Sequence, residues 1–197
     1  MISNRPFYMI LILVCLFSLP VYAQKIDVAQ IKTNYGDILF YFYPQTTVHQ
    51  KSFTKLANEG YWDNLTFNRV IDNFVAQGGC PDTEEGFSES PYLLEPEFFP
   101  EIRHIYGAVG AGRDDNPGKL SAGCQFYIVQ HKDGLARLDG DYTVFGQVIK
   151  GMDIIDEIVA VETDDNDQPL KDITLDISII KMSKKQIETL GFTIPGE

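Results

Sequence analysis

Apolar and polar positions alternate through most of the chain, with two interruptions at helical spacing. Segments 26–32 and 37–43 are rich in Ile, Val, Phe and Tyr and read as strands. Thr33-Asn34-Tyr35-Gly36 lies between them and predicts a hairpin turn. The period then lengthens. Thr47 is expected as the N-cap of a helix reaching about Glu59 and stopped by Gly60, with Val48, Phe53, Leu56 and Ala57 on its packing face. Strand patterns resume at 66–71, 74–77, 107–111, 125–130 and 142–149. A second helix is predicted over 151–159, with Met152, Ile155, Ile158 and Val159 turned inward, and a last strand over 173–181. Ser183 can cap a short terminal helix ended by Gly191, beyond which the final residues read as frayed.

Eight strands, two main helices and no βαβ rhythm predict a mainly β fold: a closed eight-stranded antiparallel β-barrel capped by two α-helices. No internal repeat and no second domain are visible. Segments 80–100 and 114–121 read as loops.

The first 23 residues stand apart from this pattern. Arg5 precedes a nearly unbroken apolar run over 7–19, and Val21-Tyr22-Ala23 offers small residues where a signal peptidase reads, so cleavage is expected after Ala23. The run is short for a membrane span of roughly 20 residues. Cys15 follows the bulky Val14, which disfavours a lipoprotein signal. The expected organisation is a signal peptide over 1–23, one folded domain over 24–182 and a helical extension over 183–197. A periplasmic or secreted location follows, with no membrane association after cleavage.

The chain of 197 residues is long enough for one well-buried core, and its net charge of −12 argues against nucleic acid or an anionic lipid surface as main partner. Cys80 and Cys124 remain after leader removal, and the residues alone leave a disulfide and two free thiols equally open. Asn64-Leu65-Thr66 is a glycosylation triplet of a kind that chance often supplies. The acidic stretch 162–167 lacks calcium-loop spacing and reads as a solvated loop. His49, His104 and His131 lack metal-ligand spacing, and no role is assigned to them; no metal and no cofactor are expected.

The informative stretch is Phe67-Asn68-Arg69-Val70-Ile71-Asp72-Asn73-Phe74-Val75-Ala76-Gln77-Gly78-Gly79. Two strands joined by a tight turn at Asp72-Asn73 put Arg69, Ile71, Val75 and Gln77 on compatible parity. An Arg and a Gln among apolar residues need partners. Either they form a site, or the Arg is tied to a carboxylate at the barrel rim. A second segment, Ser121-Ala122-Gly123-Cys124-Gln125-Phe126-Tyr127-Ile128-Val129, and a third, Leu138-Asp139-Gly140-Asp141-Tyr142-Thr143-Val144-Phe145-Gly146-Gln147-Val148, complete the pattern.

Together these three segments resemble the cyclophilin family of peptidyl-prolyl cis–trans isomerases, over about 26–182. The resemblance implies that Arg69 is the catalytic arginine, that Gln77 orients it, and that Phe74, Val75, Tyr127 and Leu138 wall a proline pocket. It matches Gln125 to the glutamine on the neighbouring strand, and Gly112 and Arg113 to the pair whose backbone holds the residue before proline. Tyr142 stands where many relatives have His and keeps an aromatic rim. Val75 replaces a longer Met, Gly112 replaces a usual Ala, and 114–120 looks like an insertion. Arg137 occupies the tryptophan position of cyclosporin-sensitive relatives, so weak cyclosporin inhibition is expected. The implied partners are proline-containing peptides and unfolded exported proteins, bound by a monomer. The alternative is a peptide-binding chaperone or scaffold on the same fold with weak catalysis.

Overall fold

The computed structural model describes residues 25–80, 90 and 92–195; the expected signal peptide lies outside them. In chain order the elements are β1 (Lys25–Lys32), β2 (Asp37–Phe42), α1 (Thr47–Asn58), β3 (Phe67–Ile71), β4 (Val75–Gly79) and β5 (Leu93–Leu94). There follow β6 (Ala108–Ala111), β7 (Ser121–Ala122), β8 (Gln125–Val129), a 3-10 turn (Ala136–Leu138), β9 (Val144–Lys150), α2 (Met152–Val159), β10 (Asp176–Ser183) and α3 (Lys184–Thr189).

Eight strands form one sheet in the order β10-β1-β2-β9-β6-β8-β4-β3, every neighbour antiparallel, and they are the eight expected from the alternation. The sheet's two edges meet at a short seam. Phe67 N–H donates to Ile173 O at 2.9 Å, and Leu175 N–H donates to Leu65 O at 3.0 Å. This seam uses residues just before β10, which is why the last strand begins at Asp176 and not at Ile173. The β5–β7 pair, with β5 inside one segment read as a loop and β7 at the end of the other, is a separate two-stranded ribbon.

Alternation along β2 divides the molecule into two apolar layers. Ile38, Phe40 and Phe42 join the barrel interior with Phe53, Leu56 and Ala57 of α1 and Ile155, Ile158 and Val159 of α2. Leu39, Tyr41 and Tyr43 join a second cluster on the outer face. α3 packs on that face: Ile187 is fully buried, Ile194 nearly so, and Phe192 lies against Tyr41 with ring centroids 5.4 Å apart. The tail through Ile194 is therefore docked rather than frayed, because it covers apolar side chains that the strand pleat turns outward. Ser183 does cap α3 as expected, in a reciprocal pair with Gln186.

The start of α1 differs from expectation. Thr47 is the first helical residue, and the Thr46 hydroxyl donates to Tyr43 O, so neither caps the helix. The Glu97 carboxylate does so from a distant segment, accepting from Val48 N–H at 3.1 Å and His49 N–H at 3.0 Å. Val48 is exposed instead of packed. Cys80 and Cys124 form a disulfide, with Cα atoms 5.5 Å apart, which closes the free-thiol alternative.

Candidate active site

Strand parity decides which side chains leave the barrel. On β4, Ala76 faces the interior while Val75 and Gln77 face out; on β8, Phe126 and Ile128 face in while Gln125 and Tyr127 face out. Strict alternation on β3 would put Arg69 on the same side as Phe67, which is buried in the interior. The register shift between Phe67 and Arg69 prevents this. Asn68 is the extra residue of a bulge, so Arg69 pairs with Gln77 on the outer face while Val70 returns inside.

Every residue that the resemblance matched to the site lines one groove of about 260 Å3: Arg69, Phe74, Val75, Gln77, Gly112, Arg113, Gln125, Tyr127, Leu138 and Tyr142. Arg137, noted in the sequence only for its position, lines it too. Arg69 Nη1 donates to Gln77 Oε1 at 3.3 Å, and Arg69 Nε lies 3.6 Å from Asp167 Oδ2. The two sequence alternatives for Arg69 thus coexist, since it is both tied to a carboxylate and turned into a groove. Asp167 belongs to the acidic stretch read as a solvated loop. That loop is folded: the Asp164 carboxylate accepts from Asn166 and Gln168 N–H, and Val70 N–H of β3 donates to Asp167 O at 2.9 Å.

Tyr127 anchors the groove floor. Its ring fits because Gly110 lacks a side chain: a Cβ there would lie 2.3 Å from Tyr127 Cζ. Its hydroxyl is 2.7 Å from His104 Nε2, and His104 Nδ1 is 2.8 Å from Asp139 Oδ1. Burial holds the His104 ring below its ordinary pKa, against the opposing pull of Asp139. Burial would raise Asp139, but hydrogen bonds from His104 and Arg103 outweigh it and hold that carboxyl low. Burial also pushes the Tyr127 phenol well above its usual range. At neutral pH the chain of donors is therefore fixed: Tyr127 O–H donates to a neutral His104, whose Nδ1–H donates to Asp139. His104 went unassigned in the sequence because its partners are 23 and 35 residues away.

The rim of the groove is held from several loops. Arg113 Nε donates to Asp141 O at 2.7 Å, and its guanidinium stacks 4.6 Å from the Tyr142 ring centroid. The Arg137 guanidinium lies 4.9 Å from the Phe74 ring centroid. Gly112 has both main-chain groups engaged, its N–H on Gln125 O and its C=O accepting from Ala122 N–H. A Cβ on Gly112 would stand 1.9 Å from Gln125 Oε1, so the glycine is what admits the glutamine side chain in this position. Gln125 Nε2 donates to Cys80 O, which ties the groove to the disulfide. No cluster of three His, Cys, Asp or Glu side chains among the described residues is placed to hold a metal ion.

A barrel thus carries on its outer face an open groove lined by aromatic, amide and guanidinium side chains. Residues 28–179 match the sequence profile of the cyclophilin type peptidyl-prolyl cis-trans isomerase family, and the chain belongs to that family. It is 34% identical over 173 residues to a Staphylococcus saprophyticus protein assigned as a peptidyl-prolyl cis-trans isomerase, covering 73% of this chain and 86% of the relative. It is 34% identical over 129 residues to the Arabidopsis thaliana peptidyl-prolyl cis-trans isomerase CYP18-2, covering 64% of this chain and 75% of the relative. Among solved structures it resembles a Cryptosporidium parvum cyclophilin crystallised with the dipeptide Ala-Pro, with a TM-score of 0.69 and 27% identity, covering 78% of this chain and 98% of that one. The protein is a cyclophilin-type prolyl isomerase, an enzyme class that binds proline-containing peptides.

Proposed function

We propose that this isomerase speeds X–Pro isomerisation in exported proteins, as a monomer, with Arg69 as its catalytic residue. The carrying observation is that Arg69 is anchored through Nε and Nη1 at the wall of a groove whose other lining includes Phe74, Val75, Tyr127 and Leu138.

Rotation about a peptide bond meets a barrier of about 18–20 kcal/mol because the C–N bond has double-bond character. At X–Pro both isomers are populated, and uncatalysed exchange takes tens to hundreds of seconds. No covalent chemistry is needed. Phe74, Val75, Tyr127 and Leu138 grip the proline ring, and the Arg113 main chain holds the preceding residue, since Gly112 spends its own groups inside the fold. As the amide twists, the prolyl nitrogen pyramidalises and its lone pair becomes a hydrogen-bond acceptor. The Arg69 guanidinium donates to it. That bond is stronger in the twisted state than in either planar isomer, which is the condition for acceleration. Arg serves better than Lys because it is permanently charged, planar and held at two edges.

Export is supported by the leader pattern before Gln24 and by a disulfide suited to an oxidising compartment. The test is refolding of a disulfide-containing secretory protein whose slow phase is limited by proline. The mature enzyme is expected to accelerate that phase in oxidising buffer and to elute as a monomer. An unaltered slow phase, with acceleration confined to short peptides, would overturn the folding role.

A further inference from the structure

The groove carries a charge opposite to that of the molecule. The chain has a net charge of −12, yet the ionisable side chains lining the groove, apart from two phenols, are Arg69, Arg113 and Arg137. Arg69 is balanced by Asp167. The other two are not balanced in the same way. Arg113 spends Nε and Nη1 on the main-chain oxygens of Asp141 and Asp114, at 2.7 Å each, and these carry no formal charge. Arg137 is exposed, stacks on Phe74, and forms no ion pair among the described residues.

The carboxylates at the rim make their close contacts elsewhere. Asp141 is 2.6 Å from Lys119 Nζ and feels Arg113 only through the weaker field between them, Asp139 serves Arg103 and His104, and the Asp114 carboxylate accepts from Asn116 Nδ2 at 2.7 Å. Each of the two guanidinium groups is also stacked on an aromatic wall of the groove, Arg113 on Tyr142 and Arg137 on Phe74, so little side-chain freedom is lost when an anion arrives.

We propose that the groove selects X–Pro peptides bearing a carboxylate side chain next to the prolyl bond, read by Arg113 and Arg137. The proposal rests on the isomerase reading of the same groove. Such a preference opposes the general field of an acidic protein, which disfavours acidic peptides at long range, so it comes from contact and is local.

The test uses terminally blocked peptides, so that no end charge intrudes: Glu or Gln before proline, and Glu or Gln after it. Isomerisation is followed by NMR exchange at low and high ionic strength, with affinity measured in parallel. The Glu peptides are expected to show kcat/KM about two- to five-fold above their Gln counterparts at low salt, the range of a partly exposed ion pair, with the ratio shrinking as salt rises. R137Q and R113Q should each narrow the ratio. Equal turnover of acid and amide peptides at low salt overturns the proposal and leaves the isomerase reading standing, as does a preference that neither variant changes. Failure to isomerise any of the peptides overturns both.

Discussion

Asp167 sets its carboxylate 3.6 Å from Arg69 Nε, while Gln77 accepts from Nη1 of the same guanidinium at 3.3 Å. The two contacts fix the plane of the group from different edges, and they come from elements far apart in sequence. Asp167 is presented by a folded acidic loop stitched to β3 through its own main-chain oxygen. Asp167→Asn is expected to lower kcat by about two- to five-fold with little change in KM, because the pair is partly exposed and screened. In an Arg69→Ala background the same change should do nothing further. Stopped-flow or NMR exchange rates for the four proteins decide it. Equal losses in both backgrounds would show that Asp167 does not act through Arg69.

Gly112 leaves the space that Gln125 fills. An added methyl at Gly112 would overlap the Gln125 side chain, which would have to swing away from Cys80 O. Gly112→Ala is therefore expected to raise KM several-fold for peptides while leaving the Arg69–Gln77 contact and the fold intact. Peptide titration by NMR, with shift changes centred on Gln125, checks this. An unchanged KM would mean that the glutamine position does not matter to binding.

Stability should fall with acid in two stages. His104 is buried, with its pKa held below the ordinary value near 6.5, so the unfolded chain binds more protons just below that pH. Stability then rises with pH in that window and is lost as pH falls through it. Asp139 and Glu97 are held low by their hydrogen bonds, which outweigh burial, so a second loss follows as pH drops below the usual carboxylate range. Melting temperatures at pH 7.5, 5.5 and 4 are expected to decline at each step. His104→Asn, which removes the titrating ring, should shrink the first decline. An equal decline in wild type and variant would place the acid sensitivity elsewhere.

Arg137 stands over Phe74 in the groove, and the family resemblance matches it to the tryptophan of cyclosporin-sensitive relatives. A stacked, charged guanidinium cannot replace that indole as an apolar contact. Weak inhibition by cyclosporin is expected, with Arg137→Trp lowering the IC50 by about ten-fold or more, the scale of gaining one buried aromatic contact. An IC50 in the range of sensitive relatives for the unaltered protein would contradict this.

Much of the architecture was legible because the strands obey a two-residue period: the alternation in Ile38 to Tyr43 alone separates the barrel interior from the outer layer. The groove was legible through motif order, and the residues matched to it do converge. What escaped depended on contacts distant in sequence. Nothing local marks Glu97 as the cap of α1, or pairs His104 with Tyr127. The acidic composition of 162–167 concealed a structured loop, because Asp and Asn residues that hydrogen-bond their own backbone look the same as solvated ones. The bulge at Asn68 was equally invisible, although it is what lets Phe67 be buried and Arg69 face the groove.

In the proposed mechanism Arg69 stabilises the twisted amide rather than holding the peptide. The direct measurement is the exchange rate of a short blocked X–Pro peptide, with its dissociation constant, for the wild type and Arg69→Ala. The substitution is expected to remove about 10²–10³-fold of the rate, the usual loss for a transition-state donor, while affinity changes by a few-fold at most. A rate that survives the substitution, or one that falls only in proportion to affinity, would contradict it.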